Sequence, residues 1–361
     1  MFAIKKLKLN NFRCYTSKLL EFSPNINILY GDNAVGKTSV VEAIAYFGMC
    51  KSFRGSKDRD LIKENQDYFF LKASFIAENE LKDEIIVSFN GKDKKIKKNN
   101  YIYNKISDFF GYFNVISFEP SDLNLIKGGP IERRRFLDVN TSQYNKEYMV
   151  DLIRFNKILK KRNEFLKQTE ELNANNLEYL KVIDEMYCKE AIKLIDLRTK
   201  FILELNNYVK SAALKISGGK ESVVLEYSPS ENVENFVEKL CAKRKYDFLC
   251  KSTSVGPHRD DILIKINEKS ADQYASQGQI RTAVIAMKLG LAEMLRKYNE
   301  NQIILLDDVF SELDFSRQTL LLELLNRKNQ IFITTTSISS INDDILNESE
   351  LIKVIKETEN E

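Results

Sequence analysis

Two short motifs at opposite ends of the chain dictate most of what it can fold into. Gly31-Asp32-Asn33-Ala34-Val35-Gly36-Lys37-Thr38 is a G-x-x-x-x-G-K-[ST] phosphate loop. The apolar run Ile26, Ile28, Leu29, Tyr30 predicts a strand before it, and Thr38 to Tyr46 predicts a helix after it. At such a junction the backbone N–H groups point at phosphate oxygens, and the helix end adds positive potential. Far downstream, Ile303 to Leu306 reads as a buried strand ending in Asp307-Asp308. In such a pair one acid can hold Mg²⁺ while its neighbour orients a water. The two halves lie roughly 270 residues apart, so a helical domain is inserted within a split core. Together the motifs imply nucleotide hydrolysis.

The 361 residues suffice for two domains, or for one carrying a large insertion. With 43% hydrophobic residues and only 5 prolines, extended disorder is excluded. No run of eighteen apolar residues occurs, so no membrane span is expected, and Met1 to Leu7 alternates like a strand and lacks a signal-peptide pattern. Cys14, Cys50, Cys188, Cys241 and Cys250 form no C-x-x-C pair. They read as free thiols of a reducing cytoplasm, not as zinc ligands. A formal charge of +3 restricts any nucleic-acid surface to a local patch.

Phe2 to Leu9, Tyr68 to Ala77 and Glu84 to Asn90 alternate as half-buried strands do, with a hairpin turn at Asn90 to Lys95. The lysines between Lys92 and Lys98 either touch phosphates or form a plain solvated face. Phe109, Phe110, Tyr112 and Phe113 either stack on bases or fill the core. Tyr144, Tyr148, Leu152, Phe155 and Leu159 share one helical face, as do Leu180, Ile183, Tyr187, Ala191 and Leu194. With a break near Glu171 to Asn176 this predicts an antiparallel helical hairpin, each arm about 35 residues and roughly 50 Å long. Strands follow at Val223 to Tyr227 and Asp261 to Ile266, then a helix from Gln279 to about Tyr298. The expected boundaries are residues 1–117 and 246–361 for an ATPase core and 118–245 for the inserted helical lobe.

Ser276-Gln277-Gly278-Gln279-Ile280-Arg281, opening that helix, resembles the signature motif of ABC-class ATPases, in which a serine, a glycine and a helix N-terminus close over a terminal phosphate. Ser276 reads alternatively as a simple helix cap. Asn10-Asn11-Phe12-Arg13 is similar to the stretch before the phosphate loop in SMC-class ATPases. Phe118-Glu119-Pro120-Ser121-Asp122-Leu123, Lys127-Gly128-Gly129-Pro130, Arg133-Arg134-Arg135-Phe136-Leu137-Asp138 and Gly256-Pro257-His258-Arg259-Asp260-Asp261 resemble the RecF family. That resemblance covers essentially the whole chain. It implies an α/β fold, an ABC-type P-loop ATPase head with an inserted α-helical hairpin lobe. It also implies an ATP-driven homodimer, with slow hydrolysis, acting at single-stranded, gapped or junction DNA. Its partners would be RecR- and RecO-type mediators, with RecA loading, replication restart and the SOS response as its setting and no membrane attachment.

By the same resemblance, Gly31, Asp32, Asn33, Ala34, Val35, Gly36, Lys37, Thr38 and Ser39 cradle ATP, joined by Arg13 and by Ser276, Gly278 and Gln279. Lys37 meets the β- and γ-phosphates, Thr38 and Asp307 hold Mg²⁺, and Asp308 orients the attacking water, so that Lys37, Asp307 and Asp308 form the catalytic set. Ser311 to Asp314 would cross a dimer interface. Ala34 stands where many relatives carry glycine. Thr335 or Thr336 takes the place of a transporter's switch histidine, and the residue replacing the Mg²⁺-ligating glutamine is expected near Ser117 to Glu119. His258, the chain's one histidine, suits a conformational or interface role. Arg133 to Arg135 form either a phosphate patch or a helix surface ion-paired to the arm. The competing readings are a transport ATPase subunit and a nucleotide-binding scaffold.

Overall fold

The computed structural model describes residues 2–76, 82–325 and 329–356; Ala77, at the end of one expected strand, lies outside them, as does Met1. Residues 1–122 and 285–361 form one compact unit and residues 123–284 another, the boundary falling within the helix Gln277–Tyr298.

In the first unit two sheets enclose helix α1 (Lys37–Met49). The larger sheet is antiparallel, in the order β2 (Tyr15–Glu21), β1 (Ala3–Phe12), β4 (Phe69–Ile76), β5 (Lys82–Phe89), β6 (Lys94–Lys98), β7 (Tyr101–Tyr103). Its strands alternate buried and accessible residues, as one-sided burial requires. The other sheet is parallel, in the order β14 (Ser349–Lys353), β3 (Ile26–Tyr30), β13 (Gln330–Thr335), β12 (Gln302–Asp307), β8 (Asn114–Phe118). β3, β8, β12 and β13 are buried almost throughout, the continuous apolar run of a sheet covered on both faces. α1 is buried nearly all round for the same reason. Tyr46 and Phe47 meet Phe69 and Phe75 of the antiparallel sheet, while α1 also packs on β8, β12 and β13. Phe109, Phe110 and Phe113 are buried, Phe113 against Phe2 and Phe75, so the base-stacking alternative for them falls away.

The second unit is built on helices α2 (Pro130–Tyr144), α3 (Lys146–Gln168), α4 (Ala174–Ile216) and α5 (Phe236–Cys250), with a small sheet of β9 (Val223–Ser228), β10 (Asp261–Ile266) and β11 (Lys269–Ser270). The expected hairpin is there but unequal: α3 has 23 residues and α4 has 43, about 65 Å at 1.5 Å per residue. Asn145 and Asn173 cap the two arms, each accepting a backbone N–H. Tyr148, Phe155, Tyr187, Leu194, Phe236 and Val255 knit α3, α4 and α5 into one core.

Two buried arginines run through this unit. Arg162 reaches Asp184 at 2.8 Å and Asp247 at 2.7 Å. Arg198 binds Asp138, Asp260, the Tyr148 hydroxyl and the Pro257 carbonyl. The Gly256-to-Asp261 motif supplies much of that second network. Asp260 also receives Tyr227 and the Ser230 N–H, and Asp261 takes a bidentate bond from Arg133 at 2.6 and 2.8 Å. Arg134 donates to the Asp260 carbonyl. Arg133 and Arg134 are thus spent inside the protein, on the segment leading into β10 and not on the arm. Gly256 has φ +137°, and a Cβ there would lie 1.9 Å from the Tyr187 hydroxyl, so no side chain fits.

His258 sits against these groups with Nε2 2.9 Å from the Thr253 carbonyl and Nδ1 3.3 Å from the Tyr187 hydroxyl. Burial pushes its pKa down to about 4; Arg259 and Arg134 push the same way, while the Thr253 carbonyl and Asp260 oppose. The imidazole is therefore neutral in the folded chain at pH 7. Its contribution to stability is complete above about pH 6.5, where the unfolded histidine is also neutral, and is lost as pH falls through 4. We predict that urea titrations between pH 7 and 4 lose on the order of 3 kcal/mol from this group, and that His258→Gln flattens that part of the profile. An unchanged acid limb in the variant would show that other groups carry it.

Candidate nucleotide site

Because β3, β13, β12 and β8 are parallel and in register, their carboxyl ends share one edge: Tyr30 pairs with Thr335, Thr334 with Asp307, and Leu306 with Phe118. Ligands of parallel sheets bind at that edge. The loop of residues 31–36 leaves β3 there and turns into α1. Gly31 has φ +152°, and a Cβ would sit 2.2 Å from the Val354 carbonyl oxygen, so its glycine is compulsory. Ala34 adopts φ +61°, a left-handed conformation that costs a residue with a Cβ roughly 1–2 kcal/mol. The loop holds its shape partly against that strain.

Lys37 donates to the Gly31 and Asp32 carbonyls at 2.7 and 2.6 Å, which fixes its ammonium across the mouth of the loop. Burial lowers its pKa, while Asp308, Asp307 and Asp32 hold it up. Thr38, the first residue after the lysine, donates its hydroxyl to Asp307 Oδ1 at 3.0 Å across 269 positions of sequence. Asp307 is buried, and its pKa is raised by desolvation against the Thr334 and Thr38 hydroxyls and the charge of Arg54, which lower it. Asp308 is exposed and left-handed at φ +54°, a conformation that aspartate tolerates better than most residues.

Thr334, which the sequence did not single out, organises both acids. Its hydroxyl donates to Asp307 Oδ1 at 2.7 Å and accepts the Asp308 N–H at 3.0 Å. The expected sensor residues sit beyond it: Thr335 is buried and bonded to the Ser337 carbonyl, and Thr336 is exposed at the strand end. What separates Thr334 from its neighbours is strand register, since only Thr334 pairs with Asp307.

Arg13, placed as a nucleotide contact by resemblance, is engaged within the protein. It forms a bidentate pair with the buried Glu42 at 2.8 Å and bonds the Ser56 hydroxyl and the Asp60 carbonyl. Glu119, just beyond β8, is also at this edge. Burial pushes its pKa up to about 7 against the pull of Lys288, with Asp122 and Asp307 adding to the rise. Ser276, Gly278 and Gln279 belong to the second unit, at the start of α6 (Gln277–Tyr298). There the Ser276 N–H donates to the Gln279 side chain at 3.0 Å and the Gln279 N–H donates to the Ser276 hydroxyl at 3.3 Å, a reciprocal cap. The capping alternative is therefore real, and it leaves the Ser276 hydroxyl proton available to an anion.

The family model described as the RecF/RecN/SMC N terminal domain matches residues 3–361. A DNA replication and repair protein RecF of Geobacillus sp. (strain WCH70) is 37% identical over 360 residues, 96% of each chain. That of Lysinibacillus sphaericus (strain C3-41) is 36% identical over 97% of each. This chain belongs to the RecF family. A solved structure of the recombination mediator protein RecF with ATP, in the RecFOR pathway, superposes with a TM-score of 0.87 at 33% identity over 94% of each chain. An Smc head domain from Pyrococcus furiosus shares the fold at a TM-score of 0.54 and 17% identity. The α/β architecture is accordingly the ABC-type ATPase head of RecF and SMC proteins. Among the described residues no helix is long and apolar enough to cross a membrane.

Replacing Thr334 by valine leaves the Asp308 N–H without its acceptor and removes one donor from Asp307. We predict a loss of about 1–3 kcal/mol for Thr334→Val in urea denaturation and under 1 kcal/mol for Thr334→Ser, which keeps the hydroxyl. Equal losses for the two would assign the effect to packing.

Proposed function

We propose that this chain is an ATP-dependent, DNA-binding recombination mediator that dimerises around ATP and hydrolyses it slowly. The observation that carries the reading is the 3.0 Å bond between Thr38 and Asp307, which unites the phosphate loop with the distant acidic strand. Its RecF relatives are DNA replication and repair proteins, and a similar RecF chain was solved with ATP. Lys37 would pair with the β- and γ-phosphates, with the N–H groups of residues 31–36 and the side chains of Asn33 and Ser39 completing the cradle. A hydroxyl and a carboxylate side by side suit Mg²⁺, a hard cation that takes few protein oxygens and completes its shell with phosphates and water. When bound, Mg²⁺ would neutralise phosphate charge. Asp308, held by Thr334, orients the attacking water. Arg13 contributes indirectly, by tying residues 56–60 to Glu42 of α1.

Ser276, Gly278 and Gln279 would close over the nucleotide of a second copy, which makes ATP a switch for dimerisation: the ligand stabilises whichever state binds it better. The dimer would act at single-stranded, gapped or junction DNA in the cytoplasm, with RecR- and RecO-type partners, in repair, replication restart and the SOS response.

Sedimentation velocity with Mg²⁺ and ATP tests the switch. The parent chain should dimerise and Lys37→Met should stay monomeric. Asp308→Asn should dimerise for longer, with turnover reduced about a hundredfold or more. A Lys37→Met chain that dimerises like the parent would overturn the reading.

A further inference from the structure

The outward face of the six-stranded antiparallel sheet carries an ordered arrangement of lysines that the nucleotide site does not use. Strand pairing sets Leu19, Lys8, Lys72, Ile86, Lys97 and Ile102 in one row across all six strands. The rows beside it add Lys6, Ser74 and Glu84 on one flank, and Asn10, Phe70, Ser88 and Lys95 on the other. All of these side chains alternate with the buried set, so they share the accessible face. The lysine run of β6 divides by parity. Lys94 and Lys98 point to the other face and pair with Asp58 and Asp83, while Lys95 and Lys97 point outward.

On the outward face Lys6 is paired with Glu21 and Lys72 with Glu84. Among the described residues Lys8, Lys95 and Lys97 have no acid partner. Neighbouring strands are about 4.8 Å apart, so Lys72 and Lys97, two strands apart, stand about 10 Å from each other with Ile86 between them. The face is thus a lattice of cations with apolar groups in its gaps. Leu19 and Ile102 are 58% and 59% exposed, and Phe70 and Ile86 are half-buried.

We propose that this face binds single-stranded DNA, the lysines Lys8, Lys95 and Lys97 meeting phosphates and Leu19, Phe70, Ile86 and Ile102 meeting bases. Charge complementarity selects a polyanion. The interleaved apolar groups select an unpaired strand, because a duplex buries its base faces in the stack and exposes only base edges within its grooves, while a single strand offers the faces themselves. The assignment rests on the DNA-binding reading above and adds the surface to it.

Fluorescence anisotropy of the full chain with a labelled oligothymidylate, across a salt series, tests it. The triple substitution Lys8→Gln, Lys95→Gln, Lys97→Gln should weaken binding at least tenfold and flatten the salt slope by about 2, since each phosphate contact contributes about 0.7 for single strands. Removing Lys157, Lys160 and Lys167 of α3 instead should change little; an equal loss there would mean net charge, not this face, is at work. Leu19→Ser with Ile102→Ser should weaken single-strand binding and spare a blunt duplex. Unchanged single-strand binding in that pair would overturn the choice of an unpaired strand. Parent-like affinity and slope in the sheet triple would overturn the surface while leaving DNA binding intact. A parent chain that binds no oligonucleotide would instead remove the DNA-binding reading and this proposal with it.

Discussion

One buried carboxylate holds the nucleotide edge together. Asp307 Oδ1 accepts hydroxyls from Thr38 and Thr334, and so connects the helix after the phosphate loop, the acidic strand and the strand between β3 and β12. Desolvation works against the ionised form there, and the two hydroxyls and Arg54 work for it. The parallel sheet serves this contact by bringing its strand ends to one edge. Loop-closure entropy grows only slowly with length, so the chain can leave the core after β8 and return at β12 at modest cost. That is the physical reason a helical unit can interrupt the site's sequence without interrupting the site.

The inserted unit is organised by a different interaction. Arg162 and Arg198 are both fully buried, Arg162 against Asp184, Asp247 and the Thr253 hydroxyl, and Arg198 against Asp138, Asp260, the Tyr148 hydroxyl and the Pro257 carbonyl. Burying such ions gains little over well-packed apolar groups, but removing one partner leaves a stranded charge worth about 3–5 kcal/mol. These networks bind helix to helix and helix to strand at defined points, which explains why the Gly256-to-Asp261 motif is so rich in charge. Its His258, Asp260 and Asp261 are occupied with internal partners.

Much of this was legible in the sequence because it is periodic or local. The period-two strands from Phe2, Tyr68 and Glu84, the strand–loop–helix around Gly31 to Thr38, and the helical hairpin all follow from spacing, and the family and fold follow from motifs in order. What escaped depends on register or on distant partners. Three consecutive threonines look alike in sequence, and only pairing with Asp307 separates Thr334 from Thr335 and Thr336. The lysines of β6 read as one basic run, yet strand parity sends Lys94 and Lys98 to acids and Lys95 and Lys97 outward. Arg133 and Arg134 resembled a patch because their partners at 260 and 261 lie far away in sequence. The arm lengths were not legible because amphipathic spacing marks a helix face but not its limits, which are set by the N-caps Asn145 and Asn173 and the C-caps Thr169 and Ser217.

The claim that Thr38 and Asp307 together form a Mg²⁺-nucleotide site is tested most directly by calorimetric titration of ATP with and without Mg²⁺, in the parent chain and in Asp307→Asn. The account predicts that Mg²⁺ tightens ATP binding to the parent at least tenfold, about 1.4 kcal/mol, and that this gain disappears in the variant while Mg²⁺-free binding persists. A variant that retains the full Mg²⁺ gain would contradict it.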